Sequence, residues 1–189
     1  MSETFFIADM HVGHQNALAL DNRPFTDIAT HDQVLADNWK TCVGKEDHIY
    51  VLGDVYFGNV TAAAQYYGEL PGHKHLIIGN HDHQLVKKDE FREQWISIES
   101  YAELRIPLKK RLILSHYPIL AFNRHYYGSY HFYGHVHNGQ EAVLINQCRK
   151  FLEAKMGCPC KMYNVGAMMP WMGYMPRTFE IGLPQSHWL

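Results

Sequence analysis

The chain has 189 residues, 47% apolar and 19% charged, which excludes disorder and allows one domain with a sizeable core. Its formal charge is −2 with Lys and Arg scattered, so no electrostatic footprint for long nucleic acid is present. No stretch nears the roughly 20 apolar residues of a membrane span, and no secretory leader opens the chain, so a soluble cytoplasmic protein is expected.

The predicted elements alternate. Phe5 to Ala8 is an apolar, strand-like run that ends in Asp9-Met10-His11. Thr30 with Gln33 fits a capping box, and Leu35, Trp39 and Val43 follow at helical spacing. Ile49 to Leu52 is a second strand run, ending in Gly53-Asp54. Thr61 to Tyr67 reads as a helix stopped by Gly68 and Pro71. Leu76 to Ile78 leads into Gly79-Asn80-His81-Asp82, and Leu85 to Trp95 is a third helix candidate with Leu85, Phe91 and Trp95 facing inward.

The later part has a different pattern. Arg105 to Leu108 and Arg111 to Leu114 flank Lys109-Lys110 as a hairpin, and the second arm ends in Ser115-His116. His131 to Tyr133 leads into Gly134-His135-Val136-His137, Ile145 to Met156 suits a short helix, and Met162 to Val165 and Thr178 to Ile181 are further strands. An α/β fold follows, with an antiparallel or mixed second sheet in this half.

Five polar clusters therefore each stand behind an apolar run. A strand that ends in a ligand places it at the carboxyl edge of a sheet, where α/β proteins build their sites. Asp9, His11, Asp54, Asn80, His116, His135 and His137 offer carboxylates, an amide oxygen and imidazoles, a mixed O/N set suited to Mn²⁺, Fe, Zn²⁺, Ni²⁺ or Co²⁺. Singly, an Asp at a strand end is a common turn former, and Asn80 after Gly79 a common turn residue. One shared cause accounts for all of them together. Gly53, Gly79 and Gly134 each precede a ligand and permit close backbone approach.

Cys42, Cys148, Cys158 and Cys160 read as free thiols, because Cys158-Pro-Cys160 lacks the spacing of a zinc knuckle. Among the 14 histidines, His31, His48, His73, His83 and His187 read as surface residues. Tyr126, Tyr127, Met168, Met169, Trp171 and Met172 suit core or dimer packing better than stacking on a base.

Taken in order, Asp-x-His, Gly-Asp, Gly-Asn-His-Asp, a lone His and Gly-His-x-His resemble the calcineurin-like metallophosphoesterase superfamily. The small bacterial and phage members, which share a step like Arg23-Pro24-Phe25, are the most similar. The resemblance runs from Phe5 to His137, with a weaker echo at Tyr163-Asn164-Val165-Gly166 and at 176–180. It implies a single domain over 1–189, a four-layer α/β/β/α sandwich of two mixed sheets flanked by helices, and two divalent ions, manganese being the expected metal. Asp9, His11, Asp54 and His137 would hold one ion, and Asp54, Asn80, His116 and His135 the other, with Asp54 bridging.

The implied reaction is phosphoester hydrolysis by a metal-bridging hydroxide, with His81 as proton donor and Asp82 either orienting it or capping the next helix. Val55-Tyr56-Phe57-Gly58 lacks the Asp and Arg that continue the Gly-Asp motif in protein phosphatases. Arg124, Asn123, Arg23 and His14 are candidate substitute substrate contacts, a solvated surface arginine being the alternative reading for Arg124 and Arg23. A small phosphodiester or nucleotide-like substrate is favoured over a phosphomonoester, and over a non-catalytic scaffold on the same fold. A monomer or homodimer is expected, without long nucleic acid or membrane as partner.

Overall fold

A computed structural model describes residues 2–106 and 108–179. These residues form nine strands and five α-helices. The strands are β1 (Thr4–Ile7), β2 (His48–Val51), β3 (His73–Ile77), β4 (Ser97–Glu99), β5 (Tyr101–Ile106), β6 (Lys110–Ser115), β7 (Tyr130–Tyr133), β8 (Met162–Asn164) and β9 (Arg177–Thr178). The helices are α1 (Gln15–Leu20), α2 (Ile28–Cys42), α3 (Val60–Gly68), α4 (Asp89–Arg92) and α5 (Gln140–Met156).

The strands form two mixed sheets. In the first, ordered β4-β3-β2-β1-β9, all neighbours run parallel except the β1–β9 pair. In the second, ordered β5-β6-β7-β8, β5 and β6 make the expected hairpin and the rest is parallel. Side chains of both sheets share one apolar cluster, with Phe6 meeting Phe132 edge-on at 5.1 Å. Leu35 and Trp39 of α2 and Ala63 and Tyr67 of α3 join that cluster, while Ala142, Ile145 and Leu152 of α5 pack against Ile113 and Tyr133 of the second sheet. The sheets meet at their carboxyl edges, where Ala8 bonds to Val165 and Ala167 at 2.8 Å each. The result is an α/β fold of two mixed sheets flanked by helices. Among the described residues no helix is long and apolar enough to cross a membrane.

Several expectations are corrected here. Helix α2 begins at Ile28, because the Asp27 side chain accepts from Thr30 N at 2.7 Å; the capping box at Thr30 does not form. The third helix candidate breaks into a 3₁₀ turn (Leu85–Lys87) and short α4, although Leu85, Phe91 and Trp95 are all buried. Helix α5 runs further toward the amino end than expected, and none of its side chains is fully buried. Met168 and Met172 are buried as predicted, whereas Tyr126 and Tyr127 are exposed. The four cysteines are free. Pro107, Glu180, Ile181 and His187, on which earlier expectations partly rest, lie outside the described residues.

Candidate metal centre

Each strand of the central region that precedes a candidate ligand points its carboxyl end at one place. Asp9 and His11 follow β1, Asp54 follows β2, Asn80 follows β3, His116 follows β6, and His135 and His137 follow β7. Ligand atoms of Asp9, His11, Asp54 and His137 lie within 4.8 Å of one another, as do those of Asp54, His116 and His135. Asn80 joins the second set, its Oδ1 being 3.0 Å from His116 Nε2. Asp54 belongs to both. This buried Asp/His group is able to hold a metal ion.

The backbone there is unusual. Asp9 (φ 51°), His11 (φ 49°), Asp54 (φ 53°), His135 (φ 71°) and His137 (φ 45°) all adopt left-handed conformations. Each costs a non-glycine residue on the order of 1–2 kcal/mol. Such strain persists where the surroundings over-determine it, and it concentrates here at side chains that converge. Two glycines make the convergence possible. A Cβ on Gly53 (φ 83°) would strike His116 Nδ1 and lie 2.7 Å from the Gly79 Cα, and one on Gly134 would sit 2.6 Å from Asp9 Oδ2.

Hydrogen bonds select which imidazole nitrogen is free. His116 Nδ1 donates to the Leu52 carbonyl (2.8 Å), which leaves Nε2 bare toward Asn80 and, at 3.6 Å, Asp54 Oδ1. His137 Nδ1 is 2.7 Å from Asp21 Oδ1, and its Nε2 faces His11 Nε2 at 3.1 Å. His11 Nδ1 is buried without a partner. Two imidazole nitrogens aimed at each other beside carboxylates are the arrangement that a cation between them would satisfy, so the residues present fit a metal.

The electrostatics agree. Burial raises the Asp9 carboxyl to about 6, against the pull of His116 and His137. Burial also lowers His11 and His135, favouring the neutral imidazole that a metal needs. For His137 burial opposes protonation, but the hydrogen bond it donates to Asp21 and the charge of Asp9 outweigh it and raise its pKa.

The other predicted residues stand outside this group. His81 is exposed, its Nε2 3.9 Å from Asp54 Oδ2 and its ring 4.7 Å from that of Phe57. His14 stacks flat on the same Phe57 at 3.8 Å. Asp82 does not orient His81. Its oxygens accept from the amides of Asp54 (2.9 Å), Val55 (3.0 Å) and Gly79 (2.7 Å), so it fixes the loop that presents Asp54. Nor does its side chain cap the following 3₁₀ turn.

Arg23 is not a substrate clamp. It is buried, and all five of its N–H donors are taken by Asp21, Met10 O, Asp9 O and His31. His31, expected on the surface, is fully buried as part of that contact. Asn123 is bound to the Glu103 carboxylate at 3.0 Å, and Arg124 lies over the Tyr127 ring at 5.4 Å, so neither of these contacts is with a residue of the ligand cluster.

Sequence reasoning missed Asp21, whose signal was an acid two residues before the Arg23-Pro24 step. It also left Asn164 without a role; that side chain donates to His137 O (2.9 Å) and accepts from Gly166 N (2.8 Å).

The chain is similar to the Gene 66 proteins of two mycobacterial phages. It is 32% identical over 142 residues to that of Mycobacterium phage L5 and 36% identical over 135 residues to that of phage D29. In each case 64% of this chain and 66% of the relative are covered, so the chain spans just under two thirds of the relatives' length. A crystal structure of a protein of unknown function from Aquifex aeolicus shares the fold, with a TM-score of 0.60, 23% identity, and coverage of 93% of this chain and 95% of that one. No protein-family model matches the chain.

Proposed function

We propose that the chain is a dinuclear, metal-dependent phosphoesterase of the calcineurin-like type, a single α/β/β/α domain over 1–189 that hydrolyses a small phosphodiester or nucleotide-like substrate. The observation that carries this is the pair of ligand groups sharing Asp54. Asp9, His11, Asp54 and His137 hold one ion, and Asp54, Asn80, His116 and His135 the other, manganese being the first candidate. The donors include no thiolate, which suits Mn²⁺, Fe, Zn²⁺, Ni²⁺ or Co²⁺. Ions held there would supply Lewis acidity to a phosphoryl oxygen and acidify the attacking water.

The protein's own share is positioning and proton transfer. His81, beside the shared carboxylate and open to solvent, gives a proton to the leaving oxygen. Phe57 packs against its ring where a carboxylate partner would make it more basic. The preference for a diester is supported by charge around the mouth. Arg23 is a cation whose field reaches His11, His14 and His137, and its N–H donors are all used inside the protein. The Glu141 carboxylate meanwhile bears on His135. Arg23 therefore has no free N–H with which to clamp a monoester dianion, and a diester carries less charge to clamp. The protein would act on small substrates in the cytoplasm as a monomer or homodimer.

The test is a matrix of Mn²⁺, Ni²⁺, Co²⁺, Zn²⁺ and Mg²⁺ against a nitrophenyl monoester, a bis-nitrophenyl diester and cyclic nucleotides. Turnover of a diester above the monoester, with about two ions per chain, is expected. At most one ion per chain after remetallation would overturn the dinuclear assignment.

A further inference from the structure

The Asp21–Arg23 pair is buried next to the ligand cluster, yet neither side chain belongs to it. Asp21 Oδ2 accepts from Arg23 Nε (3.0 Å) and Nη2 (2.8 Å), while its Oδ1 meets His137 Nδ1. Arg23 in turn donates to the carbonyls of Asp9 (3.0 Å) and Met10 (3.1 Å). The Asp21 carbonyl accepts from Asn138 Nδ2 at 3.2 Å. Two residues thus fasten the loop bearing the first ligands to the loop bearing the last.

The chain of contacts continues inward. Arg23 Nη1 can only donate, so His31 Nε2 accepts at 2.9 Å and its Nδ1 carries the proton toward Asp32 Oδ1 at 2.8 Å. Asp32 Oδ2 accepts from Gly13 N (2.9 Å), which lies two residues past His11. Every link from Asp32 to His137 is therefore directional, and the last one leaves His137 with Nε2 bare.

A buried ion pair roughly breaks even against apolar side chains as a source of stability, because desolvation offsets its attraction. Its worth lies in where it holds atoms. We propose that Asp21 and Arg23 are the positioning pair of the metal centre: Asp21 fixes the His137 tautomer and ring plane, and Arg23 holds the left-handed turn at Asp9. This rests on the metal reading above but not on the substrate.

The experiment measures Mn²⁺ binding to metal-free protein by calorimetry, with the metal-free melting temperature recorded alongside. Asp21→Asn puts an amide N–H against a donor and is expected to weaken Mn²⁺ binding by roughly 10–100-fold. It also orphans the Arg23 charge, so the double variant Asp21→Leu/Arg23→Met is measured too. That variant leaves no unpaired charge and is expected to keep the metal-free melting temperature within a few degrees while showing the same loss of Mn²⁺ affinity. Wild-type affinity in the folded double variant would overturn the proposal.

Nitrogen-15 spectra of the histidines in metal-free wild-type protein at alkaline pH supply a readout that needs no variant. His137 is expected as the pure Nδ1–H tautomer, and mixed tautomers would overturn the role of Asp21. If the wild-type protein itself bound no metal, the metal reading would fall instead, a result distinct from either of these.

Discussion

The two ends of β2 and β3 treat their polar side chains in opposite ways. At the amino end, His48 Nδ1 bonds to His75 Nε2 (2.9 Å), and His75 Nδ1 to Ser97 Oγ (2.9 Å). Both nitrogens of His75 are used, and its ring stacks on Tyr50 at 4.4 Å. At the carboxyl end, around the shared Asp54, His11 Nε2 faces His137 Nε2 at 3.1 Å and His116 Nε2 faces the Asn80 Oδ1 acceptor at 3.0 Å. Histidine clustering is common to both ends. What separates them is bare nitrogens converging on carboxylates, from backbone held at φ near 50°.

The largest effect should come from the shared carboxylate. Asp54→Asn is expected to abolish turnover and weaken both ions, by more than the roughly 10–100-fold that loss of an outer partner costs. His75→Gln, at the other end, should leave metal content unchanged. Metal analysis after remetallation checks both, and equal metal loss in the two variants would erase the contrast.

Next comes His81, at the rim of the carboxyl-end cluster. His81→Ala should slow hydrolysis of alkyl esters by about 10²-fold, the low end for a general acid, and that of nitrophenyl esters far less. Rate ratios across a leaving-group series decide it. A uniform loss would place His81 in binding rather than in proton transfer.

In the second sheet, on β7, His131 tests how a fully satisfied histidine behaves. Its Nδ1 donates to Ile113 O (3.1 Å) and its Nε2 accepts from Ile119 N (3.0 Å), so a second proton has nowhere to go. Burial lowers its pKa to about 4. The unfolded chain therefore binds a proton here between about pH 6.5 and 4 while the folded one does not, and stability falls as pH falls through that window. The loss from this residue amounts to roughly 3 kcal/mol. Denaturant midpoints from pH 7 to 4 should show it, and His131→Leu should flatten the acid limb while costing stability at pH 7.

The convergence of the candidate ligands was legible in the sequence because each follows its strand directly, so local chain direction carries it to the sheet edge. Asp9, His11, Asp54, Asn80, His116, His135 and His137 needed no knowledge of packing. Arg23 and His31 were misplaced for a physical reason. Whether an arginine is buried depends on acceptors far along the chain, here the carbonyls of Asp9 and Met10. Asp82 was misread because its partners are backbone amides, which no side-chain pattern reveals. Asp21 meets His137 across 116 positions, beyond the reach of any local motif.

The smallest effect should come from the cap of α3. Asn59 Oδ1 accepts from Ala62 N at 2.7 Å and caps α3, and Asn59 is not one of the ligand cluster. Asn59→Ala should cost about 1 kcal/mol, as for a lost N-cap. Helix α3 is nevertheless tied to the centre, since Tyr67 Oη donates to the Val55 carbonyl (3.1 Å), one residue past Asp54. If the centre is held by its own contacts, this variant lowers the melting temperature and leaves Mn²⁺ affinity unchanged. A parallel fall in both would mean that affinity merely tracks global stability. The losses expected from Asp54 and Asp21 could then no longer be attributed to ligand geometry.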